Sequence, residues 1–123
     1  MKLGQQQELF SRLRNNLESF ILSQGYEIRG GDLFRDPRLH GHYGEDNPCY
    51  YEDGTKAGYS SKNSMHKLKL AVDLYLTKDG VYLTKTSDYE FAGLYWEGLH
   101  ELCRWGGRFS DGNHFSLTWD GKA

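Results

Sequence analysis

Apolar residues recur every three or four positions in the first part of the chain. The residues that share this spacing are Leu9, Phe10, Leu13, Leu17, Phe20 and Ile21. They would form one apolar face of a helix, and Gly25 follows them as expected at a helix end. Residues 26–35 then predict a strand interrupted by Gly30 and Gly31. Residues 36–63 predict a long polar loop, which in a compact domain is usually functional or mobile.

From Leu68 the period of the apolar residues changes to two, which predicts a strand over 68–76. Its leucines and Val72 would face the core, while Asp73 would lie on the opposite face. Lys78-Asp79-Gly80 predicts a turn, and residues 81–84 predict the returning strand of a hairpin.

The last third of the chain predicts a second helix and a final strand. The helix would begin at the capping box Ser87-Asp88-Tyr89-Glu90 and end at Trp105-Gly106-Gly107. Its apolar residues are Phe91, Leu94, Tyr95, Leu99 and Leu102. In the final strand, Phe115, Leu117 and Trp119 share the core face, and His114, Ser116 and Thr118 share the other. Because helices and strands do not alternate strictly, the pattern predicts an α+β fold, a small antiparallel sheet of about four strands packed with two main helices.

Length and charge narrow the class of protein. The chain has 123 residues and a formal charge of −2, which fits one domain over residues 1–123. It lacks the basic excess of nucleic-acid-binding proteins, so we expect no nucleic acid partner. No apolar run approaches the ~20 residues of a membrane span, and the amino-terminal MKLGQQQELF is not an apolar signal core. We therefore expect synthesis in the cytoplasm without a signal peptide, and no membrane insertion.

Asp73 is the most informative residue, because it interrupts an apolar run in a predicted central strand. An unpaired carboxylate there would cost several kcal/mol in desolvation, so it needs a cation. That cation is either a bound metal or a neighbour such as Lys69. His114 lies on the equivalent outward face of its strand, where it is either a structural residue or a second ligand opening into the same cleft.

His66 would be the third ligand, although it precedes Asp73 by seven positions. One regular strand would place the two on opposite faces, so His66 must lie before the strand, where the chain bends. Two imidazoles and one carboxylate are a common catalytic zinc set with an open position. The chain has two cysteines, too few for a four-cysteine site. A rival site is His40 and His42 with Asp46 or Cys49.

Two groups of motifs, taken together, resemble the D-alanyl-D-alanine metallopeptidases. Ser64-Met65-His66 followed by Leu70-Ala71-Val72-Asp73-Leu74 is similar to the Ser-x-His and Ala-x-Asp-Leu signature of that family. Trp105-Gly106-Gly107-Arg108-Phe109 and Asp111-Gly112-Asn113-His114-Phe115 are similar to its carboxyl-terminal motif. The family includes zinc carboxypeptidases, dipeptidases and phage L-alanyl-D-glutamate endolysins.

The resemblance implies a role for each motif residue. Zn²⁺ would be held by His66, Asp73 and His114, with Asp111 as general base and later acid. Ser64 would lie near the metal and orient substrate. Arg35 would stabilise the oxyanion, with Arg38 and Arg29 as nearby rivals. Apart from the resemblance, Trp105 is either a core aromatic or, because it precedes the Gly106-Gly107 pair, a residue that lines the cleft and contacts substrate.

The activity that the resemblance implies is hydrolysis of an amide bond in the peptide stems of peptidoglycan. We expect an L-alanyl-D-glutamate endopeptidase, a monomer without a separate cell-wall-binding domain, acting as a phage endolysin on the wall in the periplasm. One alternative is a D-alanyl-D-alanine carboxypeptidase or dipeptidase. Another is a non-catalytic wall-binding or virion protein in which zinc only stabilises the fold.

Overall fold

The computed structural model of the chain describes residues 1–46, 52–53 and 61–123 and has the α+β fold that the sequence predicts. Its helices are α1 (Leu3–Ser23), the short α2 (Pro37–His40) and α3 (Glu90–Leu99). Its strands are β1 (Glu27–Gly30), β2 (Ala71–Lys78), β3 (Val81–Tyr82), β4 (Cys103–Trp105) and β5 (His114–Leu117). The predicted loop over 36–63 contains α2, and part of that loop, including Cys49, lies outside the described residues.

The strands form one antiparallel sheet in the order β1-β2-β5-β4, with β3 paired to the far end of β2. The core lies between one face of this sheet and the two long helices. Helix α1 contributes the buried residues Phe10, Leu13, Leu17 and Ile21, as its periodicity predicts. The ring of Phe10 meets Trp96 of α3 edge to face, with centroids 5.9 Å apart. None of the helices in the described part of the chain combines the length and apolar character needed to cross a membrane.

The hairpin of β2 and β3 is shorter than the sequence predicts at both ends. Asp79 and Gly80 have φ angles of 51° and 79°, and this pair of positive values gives a two-residue turn that suits the twist of a hairpin. Strand β2 begins at Ala71 rather than Leu68, because residues 65–68 form a 3₁₀ helix. Strand β3 ends at Tyr82 rather than at residue 84.

The predicted phase of the second helix is wrong in part. Residues Ala92, Gly93 and Trp96 are buried, whereas Leu94 is 53% exposed. A 3₁₀ turn over Thr86–Tyr89 precedes α3, and Asp88 accepts a hydrogen bond from the backbone N–H of Lys85 at 3.1 Å. The cap therefore lies two residues before the predicted capping box.

The predicted end of that helix, at Trp105-Gly106-Gly107, is also wrong. Helix α3 ends at Leu99, and Cys103–Trp105 forms the edge strand β4 against β5. His100 makes the turn between them, because its Nδ1 accepts a hydrogen bond from the backbone N–H of Leu102 at 3.1 Å. Leu102 continues the helical spacing in sequence although the chain has already left the helix.

Candidate metal centre

Two of the predicted ligands lie opposite one another on neighbouring strands. Asp73 of β2 and His114 of β5 are direct partners in the antiparallel register. Directly opposed residues project to the same face of a sheet with their Cβ atoms about 5 Å apart. The residues on either side of Asp73, Val72 and Leu74, are buried in the core. Because side chains alternate along a strand, Asp73 and His114 lie on the face turned away from the core.

His66 reaches the same face through an irregular backbone. It lies in the 3₁₀ helix Met65–Leu68, and Lys69 follows in the left-handed region with φ of 59°. This tight turn removes the alternation that a continuous strand would impose over seven residues. Ser64 caps the turn, since its Oγ accepts a hydrogen bond from the backbone N–H of His66 at 3.2 Å.

The three side chains converge on one point. His66 Nε2 lies 3.2 Å from Asp73 Oδ1, and His114 Nδ1 lies 3.4 Å from the same oxygen. The three possible ligand atoms all lie within 4.8 Å of one another. Both imidazoles are buried, and the Asp73 side chain is 14% exposed. His66, Asp73 and His114 are therefore close enough to bind one metal ion.

The hydrogen bonding of His66 leaves its Nε2 facing Asp73. Its Nδ1 lies 2.9 Å from the carbonyl oxygen of Leu33, which can only accept, so Nδ1 is held as a donor and Nε2 is the nitrogen that faces Asp73. Neither His66 Nε2 nor Asp73 Oδ1 has a hydrogen-bond partner of good geometry among the described residues. Two buried polar atoms that face each other without such a partner are the arrangement that a shared cation would satisfy. The backbone carbonyl also fixes the imidazole, as is usual for metal-bound histidines.

Asp73 is ionised in this setting. Burial acts to raise its pKa, but the adjacent imidazoles of His114 and His66 outweigh burial and hold the pKa below the ordinary value for an aspartate. Among the described residues, its ion-pair contacts are with these two histidines and with no lysine or arginine. Lys69, the alternative partner, instead places its ammonium 5.0 Å from the ring centre of Phe34.

The rival metal site is not formed by the residues that the structure describes. Across residues 1–46, 52–53 and 61–123, the group of three ligand-bearing side chains within reach of one ion is His66, Asp73 and His114. His40, His42 and Asp46 belong to no such group, and Cys49 lies outside the described residues. Burial raises the pKa of the Cys103 thiol to about 12, which disfavours the thiolate that a metal requires.

Arg35 lies beside the three ligands. Its backbone N–H donates to the carbonyl of His66 at 3.2 Å, and its Nη1 donates to Ser64 Oγ at 3.2 Å. Its Nε lies 3.4 Å from Asp32 Oδ2, which holds the other side of the guanidinium. The sequence did not single out Asp32, although its position three residues before Arg35 is a signal for such a pair.

The two rival arginines point elsewhere. The side chain of Arg38 is 90% exposed and pairs with Asp36 at 2.7 Å. The guanidinium of Arg29 lies 5.9 Å from the ring centre of Tyr82. Of the three arginines that the sequence offers for oxyanion binding, Arg35 is the one that lines the cleft over His66 and His114.

Asp111 lies at the open edge of the centre. Its Oδ2 is 3.9 Å from His114 Nδ1, and its side chain is 51% exposed. Its backbone N–H donates to the carbonyl of Gly106 at 2.8 Å and its carbonyl accepts from the N–H of His114 at 3.1 Å. A Cβ at Gly106 would overlap the Asp111 carbonyl, so the glycine permits the close turn that carries the carboxylate to the metal ligands.

Trp105 has the core position and not the cleft-lining one that its place before the glycine pair also allowed. It is 5% exposed, and its indole N–H donates to the carbonyl of Gly112 at 2.7 Å. Cβ atoms at Gly93 or Gly107 would overlap its ring, so both glycines allow the indole to pack closely. Through its hydrogen bond to Gly112, Trp105 holds the turn before His114, and it does not line the cleft.

A cleft of about 500 Å³ opens over the centre. The predicted site residues that line it are Arg35, Ser64, His66, Asp111 and His114. Phe109, which the sequence did not single out, lines it too, with its ring centre 5.7 Å from that of His114. Asp73 lies between the two imidazoles. The arrangement combines a metal-ligand set, a free carboxylate and a guanidinium around one opening.

In comparisons with protein-family models and with curated proteins, the chain has no match.

Proposed function

We propose that this protein is a zinc-dependent peptidase that hydrolyses an amide bond in the peptide stem of peptidoglycan. The bond we assign is the one between L-alanine and D-glutamate, and the role is that of a phage endolysin. The observation that carries the proposal is the convergence of His66, Asp73 and His114 in one cleft that Asp111 and Arg35 also border.

The donor set fits zinc better than the harder divalent cations. Two neutral imidazoles and one carboxylate are ligands that Zn²⁺ accepts in four-coordinate sites, with the fourth position left for water or substrate. Mg²⁺ and Ca²⁺ prefer oxygen ligands, of which this set supplies those of Asp73 alone. When bound, zinc polarises a carbonyl and lowers the pKa of a coordinated water to about 7.

The residues around the ligands have the chemistry that amide hydrolysis requires. Asp111 is exposed to the cleft and is not a member of the ligand group, so its carboxylate is free to accept the proton of the attacking water. The same group then returns that proton to the leaving amine. The guanidinium of Arg35 offers donors to the developing oxyanion. Its contacts with Ser64 and Asp32 hold it in place before substrate arrives.

An endopeptidase is favoured because the cleft that the described residues form continues into a second groove. It is formed by short turns around residues 35, 61–66 and 109–114, and a second groove continues from it past Asp111. A polymer can cross such a surface, whereas an enzyme that removes one terminal residue would be expected to close one end of its cleft. The wall polymer is thus the substrate that we assign.

The test compares Asp111→Asn with the wild type on purified sacculi, with zinc content and released muropeptides measured by mass spectrometry. We expect about one zinc per chain in both proteins, and a loss of cleavage of roughly 10²- to 10⁴-fold in the variant, the size typical of a general base. Asp46→Asn, an exposed aspartate outside the cleft, is the matched control and should cleave as the wild type does.

Each other result would contradict part of the proposal. Wild-type protein that binds zinc but releases no peptides would be a non-catalytic module. Release of terminal D-alanine would identify a carboxypeptidase. Undiminished cleavage by Asp111→Asn would remove Asp111 from the mechanism.

A further inference from the structure

A second groove, of about 350 Å³, adjoins the metal cleft. The two share Ser110 and Asp111 as lining residues, so they meet at the carboxylate that we assign as general base. A substrate that reaches past Asp111 on this side enters the second groove. No part of the hydrolytic mechanism requires the groove's remaining residues.

Two tyrosines line this groove and lie on the same sheet face as Asp73. Tyr75 follows Asp73 by two residues on β2, and Tyr82 lies opposite Thr77 on β3. The two tyrosine rings are nearly parallel, at 20°, with centroids 6.2 Å apart. They are 36% and 44% exposed, so both rings are accessible to a ligand.

The rim of the groove is polar. Lys85, Thr86 and Asn113 lie around the rings, and the guanidinium of Arg29 approaches Tyr82 from the β1 side. Two neighbouring aromatic rings with hydrogen-bonding groups around them suit a ligand with apolar faces and polar edges. A pyranose ring has this character, since its C–H bonds cover its faces and its hydroxyl and acetamido groups project from its edge.

We propose that this groove is a subsite for a sugar of the glycan strand to which the stem peptide is attached. This inference rests on the proposed function, because it assigns the glycan side of the same substrate. It also bears on the bond that is cut. In peptidoglycan, one L-alanine and a lactyl group separate the L-alanyl-D-glutamate bond from the sugar, which is about 7 Å in extended form.

The spacing of the sheet matches that separation. Two residues along β2, from Asp73 to Tyr75, span about 7 Å, and the level of Thr77 and Tyr82 is about 13 Å from Asp73. A sugar next to an L-alanyl-D-glutamate bond held at the metal ligands would therefore lie over the tyrosines. The terminal D-alanyl-D-alanine bond is three residues further from the sugar, so its hydrolysis would leave the groove beyond the reach of the glycan.

The experiment uses zinc-loaded protein and two substrates, muramidase-solubilised glycan-linked stems and the free stem peptide. We expect Tyr82→Ala to lower the ratio of kcat/KM for glycan-linked over free peptide by about 5- to 10-fold, the effect of losing one aromatic anchor. Tyr82→Phe keeps the ring and should keep the ratio. Leu22→Ala, a change at a 51% exposed position on α1, is the control, and circular dichroism confirms that each variant is folded.

A titration with tetra-N-acetylchitotetraose, followed by amide NMR, makes the inference independent of activity. Shifts at Tyr75, Tyr82 and Lys85 that disappear in Tyr82→Ala support the sugar subsite even if no peptide is cleaved, in which case the peptidase proposal alone fails. Absence of shifts in the groove, or an unchanged substrate ratio in an active Tyr82→Ala, would overturn the subsite.

Discussion

The two faces of strand β2 differ in what they contact: one packs in the core and the other carries a residue of the candidate metal centre. Val72, Leu74 and Leu76 project into the core and are at most 2% exposed. Between them, Asp73 and Tyr75 project to the other face, where Asp73 meets the two imidazoles and Tyr75 lines the second groove. One residue of displacement along the strand thus separates a position that stabilises the fold from a position with site chemistry.

This difference indicates that a charged residue in an otherwise buried strand is the one to examine for a functional role. The core face is redundant, because several apolar side chains share the packing between sheet and helices. The other face is not, because a carboxylate at its centre is tolerated only with two specific imidazoles beside it. Substitutions on the two faces should therefore fail in different ways.

The largest expected effect is that of Asp73→Ala on metal affinity. Losing one of three protein ligands should weaken zinc binding by on the order of 10³-fold, more than the 10- to 100-fold typical of an outer-shell partner. The fold should survive, because the core face of β2 is untouched. Competition with a chelating dye and thermal unfolding of the metal-free proteins measure the two effects. Retention of tight zinc binding would contradict the assigned ligand set.

Leu74→Ala tests the opposite face at the next position. Truncation of this fully packed side chain should lower the free energy of unfolding by about 2–5 kcal/mol. The zinc affinity of the folded protein should stay within about threefold of the wild type, since the ligands are on the other face. Denaturant unfolding and zinc competition check this. If Leu74→Ala lost zinc binding without losing stability, the separate roles of the two faces would be contradicted.

Ser64→Ala should have a smaller effect, because Ser64 acts through the residues that it holds. Its Oγ accepts from the His66 backbone and from Arg35, and its removal should cost about 1 kcal/mol of stability, as for a lost cap. We expect kcat/KM on stem peptides to fall about 5- to 10-fold while zinc is retained. Ser64→Thr, which keeps the hydroxyl, should restore most of the activity. If both variants are equally impaired, the two hydrogen bonds are not the cause.

Leu94→Ala should have the smallest effect of the four. Leu94 is 53% exposed on α3, so its truncation should change the free energy of unfolding by no more than about 0.5 kcal/mol. The comparison with Leu74→Ala uses the same chemical change in two environments. A cost of 2 kcal/mol or more at Leu94, measured by denaturant unfolding, would show that this surface is covered in solution.

The sequence predicted the fold class and the strand face of Asp73, because alternation along β2 is regular. It also predicted that His66 precedes the strand. The backbone conformation that brings His66 to Asp73 could not be predicted. The position depends on a left-handed Lys69 and on the carbonyl of Leu33, which no periodicity encodes. Strand β4 was missed for a related reason. Three residues at a sheet edge leave no pattern of their own, and Leu102 extends the helical spacing beyond the true end of α3.

The central claim is that one metal ion joins His66, Asp73 and His114, and zinc-edge anomalous diffraction from crystals of the purified protein tests it most directly. We predict a single strong peak at bonding distance from His66 Nε2, a carboxylate oxygen of Asp73 and a nitrogen of His114. A map without a peak there, or with its peak in the loop of His40 and His42, would contradict the account.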